Sequence, residues 1–90
     1  MKQRDAIFED QFRADLVDWI DIDRRMALRV MRLVDAIMDD PFEGIGKPEP
    51  LKHGKTNTWS RRITDEHRLV YLVNDEEIYF VFARYHYQKT

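Results

Sequence analysis

The chain has 90 residues, of which 43% are apolar and 36% charged, and its formal net charge is −2. This length predicts a single domain over residues 1–90, and the balance of apolar and charged residues excludes a disordered chain. The absence of cysteine excludes disulfide and thiolate chemistry, and with neither a long apolar run nor a signal-peptide pattern we expect a cytoplasmic protein that does not bind membranes.

The first 40 residues predict a short strand followed by two helices. An apolar pair at residues 7–8 is typical of an edge strand. Apolar residues then recur at helical spacing, which predicts one amphipathic helix over about 10–21 and a second over about 23–38. Asp23 is the predicted N-cap of the second helix, which should end before Pro41 because proline disfavours helical backbone in the preceding residue. The short connection between the helices predicts a helical hairpin.

Residues 41–57 are predicted to form an ordered loop. They contain all three prolines and all three glycines of the chain, which stiffen the backbone and permit tight turns. Phe42, Ile45 and Leu51 are apolar anchors, and they distinguish this segment from a disordered linker.

The last third of the chain predicts three antiparallel strands over 58–64, 67–73 and 77–87, which are rich in β-branched and aromatic residues. Helices first and strands afterwards predict an α+β fold, with two N-terminal helices packed on a small antiparallel β-sheet. Alternation along the first of these strands places Arg61 on one face and Arg62 on the other.

The charged residues are unevenly distributed along the chain. Residues 1–40 contain 7 Lys or Arg and 10 Asp or Glu, whereas residues 47–68 contain 6 Lys or Arg and 3 Asp or Glu. The small acidic net charge on its own argues against a nucleic-acid-binding protein. The local excess of cations over 47–68 is nevertheless compatible with an RNA or anion site.

The chain carries the set of side chains that metal-free cleavage of RNA requires. A loop carboxylate, Glu49, could take the proton from a ribose 2′-hydroxyl, and a late histidine, His86, could protonate the departing 5′-oxygen. Cations would neutralise the charge that develops on the phosphorus. The candidate cations are Lys47, Lys52, Arg61, Arg62, Arg68 and Arg84.

Each candidate also has an ordinary interpretation, and the residue pattern leaves both open. Glu49 could be a solvent-exposed loop acid, and the arginines of the strands could be solvated. His86 could be a packed histidine with one satisfied nitrogen. His67 is interpreted as a surface histidine and Trp19 as a core residue. Composition and spacing therefore indicate a small α+β domain with an RNA or anion site as one interpretation.

Three separated segments of the sequence resemble the YoeB/Txe toxins of bacterial toxin–antitoxin pairs, which belong to the RelE/ParE superfamily. They are DPFEGIGKPEPLK at 40–52, WSRRITDEHRLVY at 59–71 and ARYHY at 83–87. The resemblance implies a RelE-like microbial RNase fold and a ribosome-dependent endoribonuclease, an mRNA interferase that cuts messenger RNA in the ribosomal A site without a metal or other cofactor. It also implies a YefM/Phd-like antitoxin as inhibitory partner, with the toxin as a homodimer or in a hetero-oligomer with that antitoxin.

The resemblance also implies a role for individual residues. The acid of KPEPLK, Glu49, would be the general base, and His86 of RYHY would be the general acid. Arg62 and Arg68 would hold the scissile phosphate, with Arg68 counted among the catalytic residues. The remaining substrate contacts implied are Lys47, Lys52, Arg61 and Tyr87.

Two other functions stay open at this point. A ParE-like toxin would share the fold but inhibit a protein target such as DNA gyrase without cutting RNA. The presence of Glu49, Arg68 and His86 together argues against it, because a non-catalytic relative has no reason to keep all three. A pure interaction module, the antitoxin-bound half of a repressor complex, is compatible with either toxin.

Overall fold

The computed structural model describes residues 3–52 and 54–84, and in this part of the chain two helices pack on one face of a five-stranded sheet. The elements are β1 (Asp5–Phe8), α1 (Asp10–Ile22), α2 (Arg24–Asp39), β2 (Glu49–Pro50), β3 (Thr58–Arg62), β4 (Arg68–Val73) and β5 (Glu77–Phe82). The predicted α+β class and the order of its helices and strands are confirmed. None of the described helices is long and apolar enough to cross a membrane.

The sheet has the strand order β1-β5-β4-β3-β2. The predicted meander is confirmed, since β3 pairs with β4 and β4 with β5 in antiparallel orientation. The prediction of a purely antiparallel sheet is wrong, because β1 lies parallel to β5. The intervening chain, with its helical hairpin and three further strands, returns the chain to run beside β1 in the same direction, as parallel pairing requires. The sheet is therefore mixed.

The helical hairpin follows the predicted boundaries closely. The carboxylate of Asp23 accepts a hydrogen bond of 3.0 Å from the Arg25 backbone N–H, so Asp23 caps α2 as predicted. The second helix ends at Asp39, two residues before Pro41. A single residue thus separates the two helices, and the predicted hairpin is confirmed.

The core lies between the hairpin and one face of the sheet, which we call the helix face. Both helices contribute apolar side chains at helical spacing, and the strands contribute alternate residues, as the sequence periods predict. The buried core residues are Phe12, Trp19, Ala27, Val30, Leu33, Val34, Ile37, Ile63, Leu69, Tyr71, Val73, Ile78, Phe80 and Ala83. The opposite side of the sheet, on which Arg62, Arg68 and Val70 lie, is called the helix-distal face below.

Two predicted strands end earlier than expected. The first, predicted over 58–64, ends at Arg62, because the chain then turns: the Thr64 hydroxyl accepts hydrogen bonds from the backbone N–H groups of Glu66 and His67. The last, predicted over 77–87, ends at Phe82 within the described residues, and positions 85–87 lie outside them. Near this end of β5, the pairing of β4 with β5 shifts register at a bulge between Val70 and Tyr71.

Candidate active site

Strand register brings three of the predicted site residues to the helix-distal face. Glu49 pairs with Ser60 across β2 and β3, and Arg62 pairs with Arg68 across β3 and β4. Residues directly opposite in a ladder point to the same face, and Ser60 and Arg62 are two positions apart on one strand. Glu49, Arg62 and Arg68 therefore share one face, although Glu49 and Arg68 are 19 positions apart in sequence.

Glu49 and Arg68 form an ion pair at the centre of this group. Arg68 Nη1 donates a hydrogen bond of 2.9 Å to Glu49 Oε1. The Arg68 side chain is 17% exposed, whereas that of Glu49 is 58% exposed, so the cation is held in place and the carboxylate is accessible. Pairs this open to solvent contribute about 0–1 kcal/mol to stability. Stability alone is thus a weak reason for this arrangement.

Arg62 and Arg68 lie directly opposite each other in the ladder. Like charges in this position repel and destabilise a sheet. The backbone of Arg62 is fixed on both sides, since its N–H donates to the Gly46 carbonyl at 2.7 Å and its carbonyl accepts from Arg29 Nη2 at 3.2 Å. Two arginines at paired positions on the same sheet face are suited to a phosphate, which planar guanidinium donors bind through paired hydrogen bonds.

The backbone around Glu49 is restricted by its two flanking prolines. Pro48 and Pro50 have fixed φ angles and lack an N–H, which confines them to the edge of a sheet. This agrees with the place of β2 at the end of the strand order. The next residue, Leu51, donates its N–H to the Thr58 carbonyl at 2.8 Å and continues the attachment to β3.

Lys47 and Lys52 are exposed on the two sides of β2. Lys47 has a φ of +52°, in the left-handed region that non-glycine residues rarely adopt. Both lysines are adjacent in sequence to the segment that carries Glu49, as the KPEPLK motif requires. Their predicted contact with substrate stays a prediction.

The prediction that Arg61 contacts phosphate is corrected by its position. Arg61 is 0% exposed, and its guanidinium donates to the carbonyls of Asp40, Glu43 and Ile45 and to the Tyr71 hydroxyl, at 2.6–3.1 Å. The alternative interpretation of a solvated strand position is also wrong. Alternation along β3 points Arg61 to the helix face, where these donors are used internally.

Two residues of α1 that the sequence did not indicate as part of the site hold the chain at the end of β5. The buried carboxylate of Asp15 accepts from the Ala83 N–H at 2.9 Å, and the indole N–H of Trp19 donates to the Ala83 carbonyl at 2.7 Å. Trp19 is a core residue as predicted, but its polar role was missed. The available signal was Asp15 itself, an acid on the apolar face of the helix between Phe12 and Trp19.

The residue after Ala83 is also bound to α1. Arg84 Nη1 donates to Asp18 Oδ2 at 2.8 Å, and its guanidinium lies 5.5 Å from the centre of the Trp19 ring. Arg84 is thus paired within the fold, with its side chain 22% exposed. His86 and Tyr87, the predicted general acid and the predicted substrate contact beside it, lie outside the described residues.

His67 packs against the same tryptophan, with ring centres 4.8 Å apart in an edge-on arrangement. It is half-buried, so its interpretation as a surface histidine is wrong. Burial lowers the pKa of His67 below 6.5; the charge of Glu66 opposes this effect and that of Arg84 adds to it. Across residues 3–52 and 54–84, no three or more His, Cys, Asp or Glu side chains are grouped as a metal site would need.

Comparisons with known proteins were consistent with one another. A family model described as the YoeB-like toxin of bacterial type II toxin–antitoxin systems matches residues 8–87. Toxin YoeB from Mycobacterium bovis is 49% identical over 84 residues, which cover 93% of this chain and 99% of that relative.

Solved structures of similar sequence share the fold over nearly their whole length. The YoeB/ParE toxin from Agrobacterium tumefaciens has a TM-score of 0.85 at 36% identity, covering 92% of this chain and 99% of that one. The YoeB dimer from Staphylococcus aureus has a TM-score of 0.84 at 38% identity, and the toxin in the YoeB–YefM complex from that organism has 0.80 at 37%. Each Staphylococcus match covers 94% of this chain and 99% of the other.

Proposed function

Because the chain belongs to the YoeB-like toxins of bacterial type II toxin–antitoxin systems, in the RelE superfamily, we propose that it is a metal-independent endoribonuclease. Its substrate is messenger RNA in the ribosomal A site. The observation that carries the proposal is the shared face of Glu49, Arg62 and Arg68, where an accessible carboxylate is paired with Arg68 and Arg62 lies opposite Arg68 in the ladder.

The reaction begins with removal of the ribose 2′-hydroxyl proton by the Glu49 carboxylate. The 2′-oxygen then attacks the adjacent phosphorus, and Arg62 and Arg68 neutralise the charge on the phosphorane oxygens. The bond from phosphorus to the 5′-oxygen breaks as His86 donates a proton to that oxygen. The products are a 2′,3′-cyclic phosphate and a 5′-hydroxyl.

The ion pair between Glu49 and Arg68 has a role in the first step of this reaction. Without RNA, Arg68 donates to the carboxylate at 2.9 Å. An arriving phosphate offers Arg68 a second anion, which draws the guanidinium towards it and leaves the Glu49 oxygen free to accept the proton. Lys47, Lys52 and Tyr87 are proposed as further substrate contacts, whereas Arg61 is not.

A YefM-like antitoxin is the proposed protein partner. The basis is similarity to the Staphylococcus aureus proteins, which form a YoeB dimer and a YoeB–YefM complex. We extend both kinds of assembly to this chain as part of the proposal, together with binding to the ribosome in the cytoplasm.

Cleavage on programmed ribosomes tests the proposed reaction. Purified chain is added to ribosomes carrying a defined messenger, and primer extension maps the cuts. We expect cuts at the A-site codon, and Glu49→Gln and His86→Gln should each lower the rate by about 10²–10⁴-fold, since each removes a proton-transfer group. Asp75→Asn, an exposed change in the β4–β5 turn, is the control and should cleave normally.

Two results would reject the proposal. Unchanged cleavage by both variants would remove Glu49 and His86 from their assigned roles. Intact translation together with a loss of DNA supercoiling by gyrase would favour the ParE-like alternative, in which the toxin inhibits a protein target.

A further inference from the structure

We propose that Arg61 is a positioning residue, which holds Glu49 in place by organising the loop that leads to it. This inference rests on the proposed function, because it assigns Arg61 to the same catalytic site while giving it no contact with RNA. Arg61 would act through residues 40–46, the segment between α2 and the Lys47–Glu49 motif.

The Arg61 guanidinium donates hydrogen bonds to three backbone carbonyls of this loop. Nη2 donates to Asp40 at 2.6 Å and to Glu43 at 3.1 Å, and Nη1 donates to Ile45 at 3.1 Å. A guanidinium has five N–H donors in a fixed planar fork, whereas the ammonium of lysine has three donors on a single nitrogen and cannot reach all four acceptors of Arg61 from one position. The loop is therefore folded around the arginine.

Tyr71 completes the arrangement from the neighbouring strand. Its hydroxyl accepts from Arg61 Nε at 3.1 Å and donates to the Pro41 carbonyl at 2.6 Å. Burial raises the pKa of Tyr71 above 10.0, which keeps the hydroxyl protonated and able to donate. The loop is thus fixed to two adjacent strands.

At the end of the loop, the backbone at Gly46 has little room to adopt another conformation. Gly46 has a φ of +83°, and a Cβ at this position would lie 2.8 Å from Leu33 Cδ2 and 3.1 Å from Arg61 Cβ. Its carbonyl accepts the Arg62 N–H at 2.7 Å. The chain therefore enters Lys47 from a point that is packed against α2 and β3.

Strand pairing alone is a weak attachment for Glu49. The strand β2 has two residues, and of the three positions 48–50 only Glu49 has an N–H to donate. The attachment downstream is the Leu51 N–H to Thr58. The upstream attachment is the loop organised by Arg61, so loosening that loop should release Glu49 on one side.

The partners of Arg61 also suggest a role beyond stability. Its four hydrogen-bond acceptors are three carbonyls and a hydroxyl, and none of them is a carboxylate. Burying a guanidinium among neutral acceptors carries a desolvation cost that an apolar residue would avoid. Organising a loop whose next residues carry the general base is a reason to retain it.

The test compares Arg61→Lys and Tyr71→Phe with Ile78→Val, a core change in β5 that is distant from the loop in the strand order. Amide hydrogen exchange is measured first, because it requires no activity. We expect the Leu51 and Arg62 amides to exchange faster in the two loop variants, while the Asn74 amide in the β4–β5 turn stays unchanged. In Ile78→Val, the exchange rates of the Leu51 and Arg62 amides relative to that of the Asn74 amide should stay at their wild-type values.

Cleavage by the folded fraction of each variant is measured second. Arg61→Lys should lower kcat by about 10–100-fold with KM retained, since a displaced general base costs rate and leaves ribosome binding intact. Tyr71→Phe should show a smaller loss of the same kind, and it serves as the test if Arg61→Lys fails to fold.

The outcomes separate this inference from the proposed function. Faster exchange of only the Leu51 and Arg62 amides in Arg61→Lys and Tyr71→Phe, with no cleavage by the wild type, would support the positioning of Glu49 and reject the RNase. The positioning role would be overturned, and the RNase left intact, if the wild type cleaved messenger RNA while Arg61→Lys and Tyr71→Phe kept the wild-type exchange rates and the wild-type kcat. Faster exchange at all amides alike would reduce Arg61 to a structural residue.

Discussion

Arg61 and Arg62 are neighbours in β3, but they lie on opposite faces of the sheet and in opposite environments. Arg61 is 0% exposed and donates four hydrogen bonds to its surroundings. Arg62 lies on the helix-distal face, opposite Arg68, and among the described residues its side chain has no hydrogen-bond partner while its backbone has two. The same residue type is used once inside the fold and once at its surface.

The difference shows how burial decides what a guanidinium can do. The donors of Arg61 are occupied by fixed acceptors, so they are closed to a ligand, and removing them would leave buried acceptors unpaired. The donors of Arg62 are open, and their nearest neighbour in the ladder is another cation, so an anion would relieve repulsion. Arg61 therefore organises the helix face, and the proposed chemistry lies on the helix-distal face.

Alanine substitution at the two arginines should give the largest contrast. Arg61→Ala should lower the free energy of unfolding by about 2–4 kcal/mol, because several acceptors lose their donor at once. Arg62→Ala should change that free energy by no more than about 0.5 kcal/mol, yet lower cleavage by about 10²-fold, since it removes one of the two groups proposed to stabilise the phosphate. Urea unfolding and the ribosome cleavage assay measure the two effects.

Each arginine serves as the control for the other in this experiment. The two variants lose the same side chain from adjacent positions in one strand, so composition and net charge change equally. Similar losses of stability in both would contradict the division of roles between the two faces, and so would full cleavage by Arg62→Ala.

Much of this fold could be predicted because its periods are local. Helical spacing predicted both helices, residue preferences at Asp23 and Pro41 predicted the boundaries of the second, and β-branched and aromatic segments predicted the three-stranded meander. The parallel pairing of β1 with β5 could not be predicted from local pattern, because the two strands are about 70 residues apart in sequence. The two residues of β2 are too few to show any period.

The site was predictable to the level of residue types and less so to the level of environment. Alternation separated Arg61 from Arg62 but could not show that loop carbonyls would surround Arg61. The ion pair of Glu49 with Arg68 depends on the β2–β3 and β3–β4 registers together, which local sequence pattern does not predict. Glu49 and Arg68 were therefore identified by motif, and their contact required the structure.

The hydrogen bond that attaches Ala83 to α1 tests the packing of the helix face through a single contact, with a smaller expected effect. Trp19→Phe removes the N–H that donates to the Ala83 carbonyl at 2.7 Å and leaves a buried acceptor unpaired. We expect a loss of about 1–3 kcal/mol in the free energy of unfolding and faster exchange of the Ala83 amide. Trp59→Phe is the matched control, since Trp59 is only partly buried against the core. Equal losses in the two variants would show that ring size, and not the hydrogen bond, matters at Trp19.

The smallest expected effect is a pH dependence from His67, which packs edge-on against Trp19. Burial lowers the pKa of His67 below 6.5 in the folded state, so between the two pKa values the unfolded chain binds more protons than the folded chain. This contribution to stability is complete above pH 6.5 and declines as the pH falls through the folded-state value. Urea unfolding at pH 7.5 and at pH 5.0 should therefore show a larger loss of stability on acidification for the wild type than for His67→Gln. Equal losses would mean that folding does not shift the pKa of His67, and that the helix face is less closed at this end of the sheet than its packing indicates.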